Sequence, residues 1–129
     1  MRAMTEAQTA LAELTEISSQ VQAAVLFDGS GAVAAATLPD EAATRLASSA
    51  RALLESAGKL RDGELTKIEA ATSEGSLLVA RDGEQLIAAV TGPSPTAGLV
   101  FYDLKSCLRR ASEKPKPKRR PRAKASGSS

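Results

Sequence analysis

EGSLLVARDGEQLIAAVT, residues 74–91, decides how the rest of the chain can fold. Two apolar runs, 76–80 and 85–90, flank Asp82-Gly83, a pair suited to the positive backbone angles of a tight hairpin turn. The stretch reads as a β-hairpin. Leu77, Leu78, Val79, Leu86, Ile87 and Val90 place apolar side chains on both faces of its strands, because successive strand residues point to opposite sides. A strand that is apolar on both faces has to be covered on both. The hairpin is therefore expected in the middle of a sheet, with helices packed above and below it.

Composition narrows what that sheet can be part of. A chain of 129 residues suits one domain that buries a core without staples. Aromatics are only 2% of the residues, so Ala, Leu, Val and Ile must build the core. Cys107, the single cysteine, has no partner for an internal disulfide. No apolar run approaches the length of a membrane span, and no signal-peptide h-region follows Met1-Arg2-Ala3-Met4-Thr5-Glu6. The chain is expected to stay in the cytosol.

The net charge of +2 hides an asymmetry. Lys114, Lys116, Lys118, Arg119, Arg120, Arg122 and Lys124 stand against Glu113 in residues 112–129, a tail of +6 that leaves −4 for residues 1–111. The tail also holds Pro115, Pro117 and Pro121 and almost no apolar side chain. It cannot bury enough surface to offset the entropy of ordering it, and it reads as disordered.

Upstream of the hairpin, Thr5 and Gln8 have the spacing of a capping box. Leu11, Leu14, Ile17 and Val21 then recur at helical steps, which predicts an amphipathic first helix. Residues 23–27 and 32–37, around Asp28-Gly29-Ser30-Gly31, read as another hairpin. Gly29, Gly31 and Ala34 also match the G-x-G-x-x-A form of a dinucleotide fingerprint. That motif works only where a helix begins, and Pro39 leaves too little room for one. A helix from Pro39 or Asp40 to Gly58 follows, with an inner face of Leu46, Ala50, Leu53 and Ala57, widened by Leu54. Residues 64–72 read as a strand with only Leu65 and Ile68 clearly apolar, polar enough to be an edge. After the central hairpin, Thr96 caps a last helix whose face is Val100, Leu104, Cys107, Leu108 and Ala111, with Leu99 and Phe101 nearby.

The order is helix, two strands, helix, three strands, helix. This predicts a mixed α/β (α+β) domain, a three-layer sandwich around a central five-stranded antiparallel sheet. AAVLFDGSGAVAAAT, EGSLLVARDGEQLIAAVTGP and the closing TAGLVFYDL, taken in that order and spacing, resemble the bacterial branch of the roadblock family, named after a dynein light chain, with its profilin-like fold. The resemblance covers residues 4–111. It implies a homodimer in which the third strand pairs with its twin and the second helices pack together. Carried over by position, Leu65, Thr66, Lys67, Ile68 and Glu69 would lie in the pairing strand, and Leu46, Leu53 and Leu54 in the helix contact. It also implies a small Ras-like GTPase as partner, whose GTP hydrolysis some members promote by rearranging the GTPase's own residues. The basic tail is not part of the family pattern.

The residues speak against an enzyme. Histidine is absent, which removes the usual general base near neutral pH and the commonest metal ligand. No G-x-x-x-x-G-K-[ST] occurs, so the chain is not itself a GTPase. Cys107 falls on an apolar helix stripe and reads as a buried structural cysteine. The pairs Glu69/Glu74 and Asp82/Glu84 read as soluble strand ends and turns, not as acid-base partners. No catalytic residue, metal, cofactor or small-molecule substrate is expected. The favoured reading is a dimeric adaptor for a Ras-like GTPase. The alternative is an electrostatic tether whose tails hold nucleic acid or anionic membrane. With six or seven phosphate contacts, the log of its DNA affinity would fall with log salt at a slope of roughly −6. No aromatic interleaves the basic residues, so base stacking is not suggested.

Overall fold

Eight elements follow one another: α1 (Glu6–Ile17), β1 (Val21–Asp28), β2 (Val33–Ala36), α2 (Asp40–Gly58), β3 (Lys67–Ala71), β4 (Ser76–Asp82), β5 (Gln85–Thr91) and α3 (Ala97–Ser112). This computed structural model describes residues 5–59 and 66–112. The strands form one antiparallel sheet in the order β2-β1-β5-β4-β3. The hairpin β4–β5 sits inside it, as two-sided apolarity requires.

Alternation along the hairpin divides the core in two. Leu78, Ala80, Ile87 and Ala89 join Ala24 and Leu26 of β1 under α1 and α3. Val79, Leu86 and Ala88 join Val25 and Phe27 of β1 under α2, with Leu77 half-buried beside them. The pairing runs from Ser76↔Thr91 to Asp82↔Gln85. The loop is therefore Gly83-Glu84, one residue later than the Asp82-Gly83 pair expected from sequence. Gly83 has φ +64° and takes the first loop position, where glycine tolerates that angle without strain. Asp82 stays in the ladder.

The capping box of α1 forms. The Thr5 hydroxyl accepts from the Gln8 backbone N–H at 3.0 Å, and the Gln8 carbonyl oxygen Oε1 accepts from the Thr5 N–H at 3.4 Å. Leu11 and Leu14 are buried, but Ile17 is 67% exposed and Val21 opens β1. The expected stripe stops at Leu14 because Ser18 turns extended and donates its N–H back to the Leu14 carbonyl at 2.9 Å.

The inner face of α2 also differs from expectation. Ala43, Ala47, Ala50 and Leu54 are buried, whereas Leu46, Leu53 and Ala57 are half-buried on its flank. The facing sheet residues Val25, Phe27, Val79 and Leu86 are bulky, and a row of alanines lets the helix settle onto them at interior packing density. Periodicity located the apolar arc; the bulk of the opposite face selected which edge of the arc goes in.

The turn that delivers β3 to the sheet is built around Thr72 and Gly75. Thr72 donates both its N–H and its hydroxyl to the Gly75 carbonyl at 2.8 Å, and its Oγ1 accepts from the N–H groups of Glu74 and Gly75. A Cβ on Gly75 would drive into the Thr91 carbonyl oxygen, whereas one on Gly58 would meet nothing. Gly75→Ala should therefore lose about 1–3 kcal/mol in a urea melt, the usual cost of forced overpacking. Gly58→Ala should be neutral or gain up to about 1 kcal/mol from helix propensity.

Candidate functional site

A five-stranded open sheet has two edges, and here they are β2 and β3. Among the described residues β3 pairs only with β4, from Lys67↔Ala80 to Ala71↔Ser76. The Thr66 carbonyl accepts the Arg81 N–H at 2.8 Å, and the Thr72 N–H goes to Gly75. Strand residues turn their backbone groups alternately to one side and the other. Thr66, Ile68, Ala70 and Thr72 thus face β4, and Lys67, Glu69 and Ala71 turn theirs outward along the edge.

The side chains alternate with the same period. Lys67, Glu69 and Ala71 are exposed, while Ile68 and Ala70 are half-buried. Ile68 packs on the α2 side of the core. Lys67 lies on the opposite face, its Nζ 5.2 Å from the centroid of the Phe101 ring. Such a contact contributes about 0.5–1 kcal/mol at an exposed site. It also places the Lys67 ammonium over α3.

The expected site residues divide accordingly. Lys67, Ile68 and Glu69 lie in β3, and exposed Thr66 immediately precedes it. Leu65 lies outside the described residues, within which β3 runs from Lys67 to Ala71. Leu46 and Leu53 form a half-buried flank on α2, but Leu54 is 7% exposed and belongs to the chain's own core. The basic tail residues Lys114, Lys116, Lys118, Arg119, Arg120, Arg122 and Lys124 lie outside the described residues. Sequence reading did not foresee Phe101 as the platform for Lys67, nor the exposure of Leu99 and Tyr102 at 54% and 66%. Their positions off the stripe of Val100, Leu104, Cys107 and Leu108 carried the signal.

Neither of the residual chemical motifs supplies an active centre. Between β1 and β2 no helix begins, and Asp28 itself fills the turn. Its Oδ1 accepts the N–H of Ser30, the hydroxyl of Ser30 at 2.6 Å and the N–H of Ala32. The Ser30 hydroxyl above all, with these amides, holds the carboxyl below its ordinary value. Donors that a phosphate would need are committed to a carboxylate. Cys107 is buried between α1 and α3, where the Arg110–Glu13 ion pair of 2.8 Å joins the helices. Burial, and secondarily the charge of Glu13, push its thiol up to about 12 against a weaker opposing pull from Arg110. A thiol that retains its proton is a poor nucleophile. Among the described residues no group of three or more His, Cys, Asp and Glu is placed to hold a metal, and no helix is long and apolar enough to cross a membrane.

The described residues form a three-layer α/β sandwich whose sheet ends on β2 at one edge and on the amphipathic β3 at the other. The sequence matches the Roadblock/LC7 domain over residues 7–91, more than half of the chain, and the protein belongs to that family. Among solved structures, a Roadblock/LC7 domain from Streptomyces avermitilis superposes with a TM-score of 0.71 at 19% identity, covering 79% of this chain and 91% of its own. Myxococcus xanthus MglB gives 0.70 at 16% identity, covering 84% and 94%. MglB solved with a tetrameric arrangement gives 0.62 at 21% identity, covering 87% and 91%. A sequence comparison with curated proteins gives no match.

The buried thiol makes a measurable prediction. Cys107 should resist alkylation at pH 8 in the native protein and react once denaturant is added. The folded thiol keeps its proton to about 12, against 9.0 for the ordinary group. Between those values the folded state binds more protons than the unfolded one, so stability should fall as pH rises from about 9 toward 12. Urea melts of Cys107→Ala should lack that part of the slope.

Proposed function

We propose that this protein is a non-enzymatic, homodimeric platform of the cytoplasm that binds a small Ras-like GTPase and modulates its GTP hydrolysis. The observation that carries the dimer is the β3 edge, whose outward backbone groups at Lys67, Glu69 and Ala71 face no other strand among the described residues. Peptide groups in that state are a template for another strand. A second copy joined there would extend the sheet without a break and bring the Leu46 and Leu53 flanks of the two α2 helices to one side. Membership of the Roadblock/LC7 family supports the GTPase as the partner of that enlarged surface. The chain's own contribution to hydrolysis would be positional, since it offers no histidine and no phosphate-binding loop.

Light scattering and nucleotide-dependent capture test the two halves of this reading. The full chain and a version ending at residue 111 should both run at twice the monomer mass. Lys67→Pro, which removes an outward donor from the edge, should return the protein to monomer. Both dimeric forms should recover one small GTPase, identified by mass spectrometry from nuclease-treated lysate, with a preference between GTP and GDP analogues. Recovery by the full chain alone, abolished by modest salt, would instead assign the interaction to the basic tail.

A further inference from the structure

The pattern of β3 fixes more than the fact of an open edge. We propose that β3 meets β3 of a second copy in a single register centred on Ile68, with Lys67 of each copy opposite Glu69 of the other. This rests on the strand pairing proposed above and adds its register and the side chains that select it.

Antiparallel pairing of identical edges has its two-fold axis perpendicular to the sheet, so each residue lies on the same face in both copies. Directly opposed side chains share a face. The regular registers are therefore those centred on a residue, not between two. Within β3 five centres compete, and those on Ala70 and Ala71 bring no two charges opposite one another. Centring on Lys67 sets Lys67 against itself, and centring on Glu69 sets Glu69 against itself; like charges directly opposite are destabilising. Centring on Ile68 alone opposes unlike charges, and it does so twice.

The backbone agrees with the charges. Lys67 and Glu69 both turn their peptide groups outward, and facing one another they form a hydrogen-bonded pair that exchanges both N–H···O bonds. Ile68 turns its peptide groups to β4 and becomes the narrow, non-hydrogen-bonded pair at the axis, with Cα atoms about 4.5 Å apart. Its half-buried side chain then meets its equivalent and closes the α2-side core across the axis. On the other face the Lys67 ammonium is already held 5.2 Å from the Phe101 ring, where the Glu69 carboxylate of the second copy arrives. The second open edge cannot select a register this way, because β2 reads VAAA and carries no charge.

Single cysteines at 67, 68 and 69, introduced one at a time into the full chain, read the register under mild oxidation; native Cys107 is buried and does not compete. Ile68→Cys should cross-link about tenfold faster than the other two. In this register residues 67 and 69 meet their own equivalents only diagonally, about 7–8 Å apart, beyond the Cα separation a disulfide tolerates. Lys67→Glu and Glu69→Lys, both at exposed positions, give a test that leaves the core intact. Each alone should weaken the dimer by about tenfold or more, and an equimolar mixture should restore it as a heterodimer. A dimer that cross-links foremost through Glu69→Cys or Lys67→Cys, or that is indifferent to Lys67→Glu, overturns the register while leaving strand pairing in place. A dimer without a cross-link at any of the three positions also overturns the register, and a chain that light scattering shows to be monomeric overturns the pairing itself.

Discussion

Everything in this fold follows from a hairpin that cannot be left wet on either side. Val79, Leu86 and Ala88 need cover from one direction, and Leu78, Ala80, Ile87 and Ala89 from the other. One helix supplies the first cover and two supply the second. The remaining strands complete the sheet around the pair: β1 beside β5, β3 beside β4, and β2 outside β1. With few aromatics, the layers close through small residues. Rows of alanine on α2 and along β5 bring backbones near enough for Phe27, Leu26 and Ile87 to fill the space between them.

What the hairpin does not need is a further strand of the same chain beyond β3. A sheet with two-sided cover can stop wherever its last strand tolerates solvent, and KIEAA tolerates it on one face only. The half-buried Ile68 and the exposed, oppositely charged Lys67 and Glu69 make this an edge of mixed character. Charged side chains on an edge deter indiscriminate pairing. The same charges, when they oppose their complements, choose one partner and one alignment. On this account the feature that protects the edge from strangers is the feature that admits a second copy.

Much of this was legible before any coordinates. The two-sided apolarity of residues 76–80 and 85–90, the Thr5/Gln8 cap and the polar strand expected over 64–72, described from Lys67 to Ala71, all reflect local rules that tertiary context did not override. The misreadings share a cause. Ile17 left the core because Ser18 ended its helix, Leu54 went inward in place of Leu53 because of the bulk of Phe27 and its neighbours, and the turn moved to Gly83-Glu84 because Asp82 found a partner in Gln85. Each depends on what lies opposite, which a single linear pattern does not contain. The Lys67–Phe101 contact joins positions far apart in the chain and had no local signal at all.

Residue-resolved amide exchange across a dilution series reads the edge most directly. The amides of Ile68 and Ala70, which face β4, should be protected at every concentration. Those of Lys67 and Glu69 should be protected nearly as well in concentrated protein and lose that protection on dilution. Protection absent from Lys67 and Glu69 at all concentrations would mean that β3 ends the sheet in solution, and the account of this protein as a self-paired platform would fail with it.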